Sequence, residues 1–172
     1  MPAYTSPDVR NLAVGAGEIE FKPDGAPAYV HLGNVPNFEF KMKTKMLDHH
    51  APYNGIKVKD YTWTIELEAE VEIVMEELTA RNLQMLMLGD IGTDLSGRTT
   101  VTITARNSVI GALRYTANNE VGPRWFIDLL AVTFNTDGGF DPITSRKNDF
   151  SKITVKGTAL AVDGTFGVMT LL

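Results

Sequence analysis

The chain has 172 residues and a mass of 18.9 kDa, the size of one domain. Its 44% hydrophobic and 22% charged content supports a packed core and excludes disorder of the whole chain. A net charge of -5 argues against a nucleic-acid clamp, which needs an excess of Lys and Arg, and the absence of Cys excludes disulfides, zinc–thiolate sites and Cys nucleophiles.

Residues Met1 to Arg10 are polar and Pro-punctuated, which predicts a flexible N-terminal arm and no signal peptide. No apolar run approaches the roughly 20 residues that cross a bilayer as a helix. The expected place of action is the cytoplasm, or a particle that leaves it.

Leu12 to Lys22 reads as a first strand, followed by an Asp24-Gly25 turn and a short strand through Ala28, Val30 and Leu32. Gly33 to Pro36 breaks the pattern. Phe38, Phe40, Met42, Thr44 and Met46 then alternate with Glu39, Lys41, Lys43 and Lys45, a period of two that marks a half-buried strand. Leu47 to Asp60 reads as a long polar loop with Asp48-His49-His50, Pro52 and Asn54-Gly55. Alternation resumes with Tyr61, Trp63, Ile65, Leu67, Ala69, Val71 and Ile73 on one face and Glu66, Glu68, Glu70 and Glu72 on the other. If these two strands pair antiparallel, partners whose numbers have an odd sum, such as Lys43 with Glu66, bring both apolar faces together and set Lys against Glu. Burial of a large apolar side chain is worth about 2 kcal/mol and an exposed ion pair under about 1 kcal/mol, so burial sets that register.

Thr79 is placed to cap a helix over Ala80 to Leu88, with Gly89 as its stop. Leu83, Leu86 and Met87 share its apolar face, thickened by Met85 and Leu88. Strands are expected at Thr99 to Ala105 and Val109 to Tyr115. Trp125 to Phe134 is apolar on both faces, with Trp125, Ile127 and Leu129 on one, so one cover is expected from a second subunit. Asn135 to Ser145 reads as a Gly/Asp/Pro loop, Ile153 to Val162 as the last long strand, and Asp163-Gly164 leads to an apolar tail from Phe166 to Leu172.

No catalytic, cofactor or metal motif is present: G-x-S-x-G, H-E-x-x-H and the phosphate-binding G-x-x-x-x-G-K are all missing. His49 and His50 are adjacent, so in an extended segment they point apart and do not share a metal. His31 alternates with Val30 and Leu32 as a surface residue does. Asn135 to Asp141 lacks the spacing and terminal Glu of a calcium loop. The Glu66 to Glu72 row, matched by a lysine row, reads as a solvated face, and Trp63 and Trp125 as core or interface residues. No enzyme activity and no cofactor are expected.

The order of these segments resembles the tail tube (major tail) proteins of long-tailed bacteriophages. The resemblance runs from Val14-Gly15-Ala16-Gly17-Glu18-Ile19-Glu20-Phe21 through Leu32-Gly33-Asn34-Val35 and the Asp48-His49 segment with Gly55. It continues through Leu78-Thr79-Ala80-Arg81-Asn82-Leu83 and the close at Leu86 to Gly89, then the late strand with Gly157, Ala159 and Asp163-Gly164. It implies a mainly β fold: a two-sheet sandwich or barrel-like domain with one flanking short helix and a long hairpin loop, forming a ring β-barrel on oligomerisation. It also implies hexameric rings stacked into a tube in the virion, made in the host cytoplasm. DNA would cross the lumen without specific binding, and a tape measure protein and terminator or baseplate proteins would be partners. Contractile-tail inner tubes and type VI secretion tubes resemble the same pattern. A monomeric β-sandwich binding module is the rival reading.

Within that frame, residues 47–60 are the expected inter-subunit loop, with Asp48, His49, His50, Tyr53 and Asn54 as contacts. Trp125, Ile127 and Leu129 are the expected interface strand. Glu66, Glu68, Glu70 and Glu72 are candidates for a lumen face that is acidic or neutral.

Overall fold

The computed structural model describes residues 17–103, 107–119, 122–134, 144–146 and 149–172. The expected N-terminal arm, the Leu12 to Ala16 part of the first strand and residues 135–143 of the late loop lie outside these. Every strand pairing among the described residues is antiparallel. In chain order they are β1 (Gly17–Pro23), β2 (Val30–His31), β3 (Asn37–Tyr53), β4 (Ile56–Met75), then helix α1 (Ala80–Met87). There follow β5 (Ile91–Thr93), β6 (Thr99–Val101), β7 (Val109–Ala117), β8 (Trp125–Phe134), β9 (Thr144–Arg146), β10 (Asp149–Ala159) and β11 (Gly167–Leu171).

One nine-stranded sheet runs β2-β1-β7-β8-β10-β4-β3, with β11 joined to β8 and β9 to β10, while β5 and β6 form a separate ribbon. The expected pair of stacked sheets is replaced by this single sheet, which forks and rolls. The fork is at β8. On one edge it pairs with β7, and on the other Trp125 to Leu129 pair with β11 while Val132 to Phe134 pair with β10. The roll brings Phe38 of β3 onto Tyr115 of β7, rings stacked with centroids 4.8 Å apart, although these strands are far apart in the sheet order. The sheet does not close into a barrel among the described residues: the path ends at β3, and β11 pairs only with β8.

The core is the concave side of the roll. Ile19, Phe21, Val71, Ile73, Met75, Leu113, Val132, Phe134 and Ile153 are buried there, and Phe21 meets Phe134 edge to face at 5.4 Å. Tyr115 is packed deeply enough that burial raises its hydroxyl above the ordinary tyrosine range. Leu129 is buried within this same core, so its cover comes from the chain itself.

Helix α1 begins as expected, with Thr79 Oγ1 accepting from Asn82 N. Its end differs. Leu88, not Gly89, takes the left-handed conformation, at φ 49°. Gly89 is needed for another reason: a Cβ there would lie 1.8 Å from the Thr102 carbonyl oxygen. Met85 and Leu86 are buried, while Leu83 and Met87 are only half-buried. Fully buried Asn82 donates through Nδ2 to the Leu32 and Glu77 carbonyls at 2.9 and 2.8 Å, fastening the helix to the segment just past β2 and to the connection after β4.

Candidate assembly interface

Residues 47–60 are not a loop. β3 and β4 pair along their whole length, and the connection is a two-residue turn, Asn54-Gly55. Both residues have positive φ, 49° and 78°, as a tight turn matched to strand twist requires. Pro52 is tolerated because β3 is an edge strand, where a missing N–H removes no ladder bond. The result is a hairpin arm. Its root is in the sheet, where Ala69, Val71, Ile73 and Met75 are buried. Beyond Ala69 every residue of β4 except half-buried Thr62 is exposed, so the arm projects from the body over roughly 35 Å at about 3.3 Å per residue.

The root keeps the expected odd register, displaced by two residues: Lys43 faces Glu68, Lys41 faces Glu70 and Lys45 faces Glu66. Lys45 Nζ lies 3.2 Å from Glu66, and the Lys43 ammonium pairs diagonally with Glu70. Lys156 of β10 approaches Glu72 at 3.9 Å from the other side. Glu66 and Glu68 stand exposed on the arm, whereas Glu70 and Glu72 are half-buried on the convex face of the sheet. Lysines therefore line the glutamate row on the β3 side, and Lys156 adds one on the β10 side at Glu72.

The register then shifts. Lys45 faces Glu66 but Met46 faces Thr64, leaving Ile65 as an extra residue on β4. Cross-strand partners share a face, so Trp63 goes with Leu47, and Tyr61 with His49, on the face that carries Lys43 and Lys45 at the root. Tyr61 and Trp63 were expected on the face of Leu67 and Ala69; the bulge turns them to the other one. A second shift leaves out Asp60, after which Val58 faces Ala51 and Ile56 faces Tyr53. The distal arm thus carries an exposed apolar ridge of Leu47, Tyr53, Ile56, Val58, Tyr61 and Trp63. Trp63 and Tyr61 pack edge to face at 4.4 Å, yet each remains 53% exposed.

Polar contacts stiffen this ribbon. His49 Nδ1 is 2.7 Å from Asp60 Oδ1, and this contact holds the Asp60 carboxyl below its ordinary range. Asp48 is held low by Lys59, 2.7 Å away, and by the Thr62 hydroxyl, which donates at 2.8 Å. The residues singled out from polarity, Asp48, His49, His50, Tyr53 and Asn54, lie on this arm. The apolar ridge beside them was not anticipated, although Ile56-Lys57-Val58-Lys59 alternates as a strand does.

The other named strand is placed differently. In β8, Trp125 packs on Tyr115 with centroids 5.2 Å apart, Ile127 is half-buried and Leu129 is core. β11 covers the edge of that half of the strand. Val168, Met169 and Leu171 on β11 are exposed, and between β11 and the root of β3 runs an apolar groove of about 410 Å³. Phe40, Met42, Ile127, Phe166, Val168 and Met169 line it.

Among the described residues no three His, Asp or Glu side chains are grouped to hold a metal ion, and no helix is long and apolar enough to cross a membrane. No curated protein matches the chain. A family model described as "Protein of unknown function UCP028589" matches residues 13–120, more than half of its length.

Proposed function

The chain belongs to that family, whose description assigns no activity, and we propose that it is a structural subunit that assembles with copies of itself. The observation that carries this reading is the hairpin arm. An exposed two-stranded ribbon with Trp63, Tyr61, Leu47 and Ile56 in water is costly for a monomer, and apolar patches of this kind mark protein–protein contacts. The edges of β3 and β11 that carry no strand among the described residues support the same reading, because unpaired strand edges recruit further strands. Among the described residues, the titratable groups displaced from ordinary values belong to surface ion pairs, to a hydrogen-bonded turn at Asp94 or to packed Tyr115, which favours a non-enzymatic role.

In its specific form the proposal is a phage tail tube subunit. Edge strands of neighbouring copies join into a barrel around a lumen, hexameric rings stack, and the arm bridges copies. DNA passes through without specific binding, a tape measure protein occupies the lumen during assembly, and terminator or baseplate proteins close the ends. A contractile-tail or type VI secretion inner tube would use the same subunit chemistry.

Negative-stain microscopy and light scattering of concentrated protein test this, with rings or tubes expected. A variant lacking residues 46–53 and 56–65 joins the paired residues Lys45 and Glu66 through Asn54-Gly55. It is expected to fold and to remain a monomer. A wild-type chain that is monomeric at millimolar concentration would refute the reading.

A further inference from the structure

The bulge at Ile65 gives the arm two apolar surfaces that face opposite ways. At the root, Met42 is exposed on the concave side and forms a wall of the groove between β3 and β11. On the distal arm, the ridge led by Trp63 and Tyr61 lies on the convex side. Ridge and groove cannot meet within one molecule. The ladder between them is continuous, and the tip stands roughly 35 Å from Met42 at about 3.3 Å per residue.

We propose that the distal ridge of one copy seats in the groove between β3 and β11 of another copy. This rests on the self-assembly reading and names the surfaces that would carry it. Area favours a second copy as occupant. A half-exposed aromatic or large aliphatic side chain offers roughly 100 Å², so the six ridge residues offer about 600 Å². With the backbone and polar flanks of the ribbon, this reaches the about 800 Å² that a stable interface takes from each partner. The groove volume lies in the range that admits bulky apolar groups, about 300 to 1,000 Å³.

Direction follows from the geometry. Were ridge and groove on one face, two arms could pair symmetrically and stop at a dimer. Placed on opposite faces and at opposite ends of the arm, they make a head-to-tail contact, which leaves a free ridge and a free groove at every step. Such a contact propagates or closes into a ring.

Two variants and their mixture test this. Tyr61→Thr with Trp63→Thr removes the ridge anchors, and Met42→Glu with Met169→Glu puts carboxylates into the groove. All four positions are exposed, so circular dichroism and the thermal midpoint should stay near wild type. Each double variant alone is expected to raise the concentration at which oligomers appear by roughly 100-fold or more. An equimolar mixture is expected to give a 1:1 dimer by light scattering, because the intact groove of the first variant accepts the intact ridge of the second. A groove variant that assembles like wild type, or a mixture that stays monomeric, would overturn this contact and leave self-assembly standing. A wild-type chain that never assembles would overturn both.

Discussion

Gly89 follows α1 where a helix-ending glycine is expected, yet the left-handed turn is made by Leu88, at φ 49°. Leu88 is 3% exposed, so burial of its side chain, worth about 2 kcal/mol, offsets the roughly 1 kcal/mol or more that the conformation costs. Gly89 instead clears the Thr102 carbonyl, which a Cβ would approach to 1.8 Å. Gly89→Ala is therefore expected to destabilise by about 1–3 kcal/mol, because backbone and not a flexible side chain must move. Gly92→Ala is the control, since its Cβ would sit 3.3 Å from the Thr100 hydroxyl oxygen in an ordinary conformation. Thermal denaturation of both variants checks the difference, and equal midpoints would sink it. A second residue-scale expectation concerns Asp60. Its carboxyl is depressed by the contact with His49, so the stabilisation is present above the ordinary carboxylate range and is lost as pH falls through the depressed value, below about 3.9. Asp48 behaves in the same sense through Lys59. Hydrogen exchange, corrected for intrinsic rates, should show the distal arm opening below about pH 4 while the strands around Phe21 and Phe134 stay protected. An arm equally protected at pH 3 and pH 6 would contradict this.

The arm shows which parts of an element are legible in a sequence. Alternation from Phe38 to Phe40 and from Ala69 to Ile73 marks the root correctly, because there one face packs against the core and the other is more open to solvent. Farther out both faces meet water, so alternation no longer reports a core. Pro52 and the polar Asp48-His49-His50 then read as loop, although an edge strand accepts them. The bulge is hidden for a related reason. Tyr61 to Ile73 keep unbroken parity in sequence, and only the pairing partner reveals that Ile65 has none. Helix α1 and its Thr79 cap were legible because they depend on near neighbours. The fork at β8 was not, because it depends on which distant strands share an edge, so one rolled sheet looked like two. Supplying the missing partner tests the role of the bulge. One Thr inserted between Lys45 and Met46 would face Ile65, remove the bulge and turn the distal arm by half a rotation relative to the root. The hairpin should remain paired by hydrogen exchange, while Trp63 and Tyr61 move to the face of Met42 and oligomers are lost. Undiminished assembly would mean that the facing of the ridge is immaterial.

At the scale of the whole molecule, the proposed tube would require DNA to slide past many copies without sticking. A basic wall would hold phosphates through many simultaneous contacts, with slow release at low salt. The convex face of β3, β4 and β10 suits a channel wall better. Glu66, Glu68, Glu70, Glu72 and Glu39 stand there among Lys41, Lys43, Lys45 and Lys156, so lysine charge is met locally by carboxylates. Farther along the sheet Arg114 is held by Asp128 at 2.6 Å, which raises its pKa and leaves it charged but matched. Each subunit adds a net charge of -5, and repulsion of like charges is screened beyond about 10 Å at moderate salt. The expected outcome is a lumen of neutral or negative net charge and no retention of duplex DNA by purified tubes even at low salt. A reconstruction of the assembled tube gives the sign directly, and a gel-shift titration at about 50 mM salt gives it independently. A positive lumen together with tight, salt-sensitive DNA binding would mean that another face lines the channel, or that the assembly is not a DNA conduit.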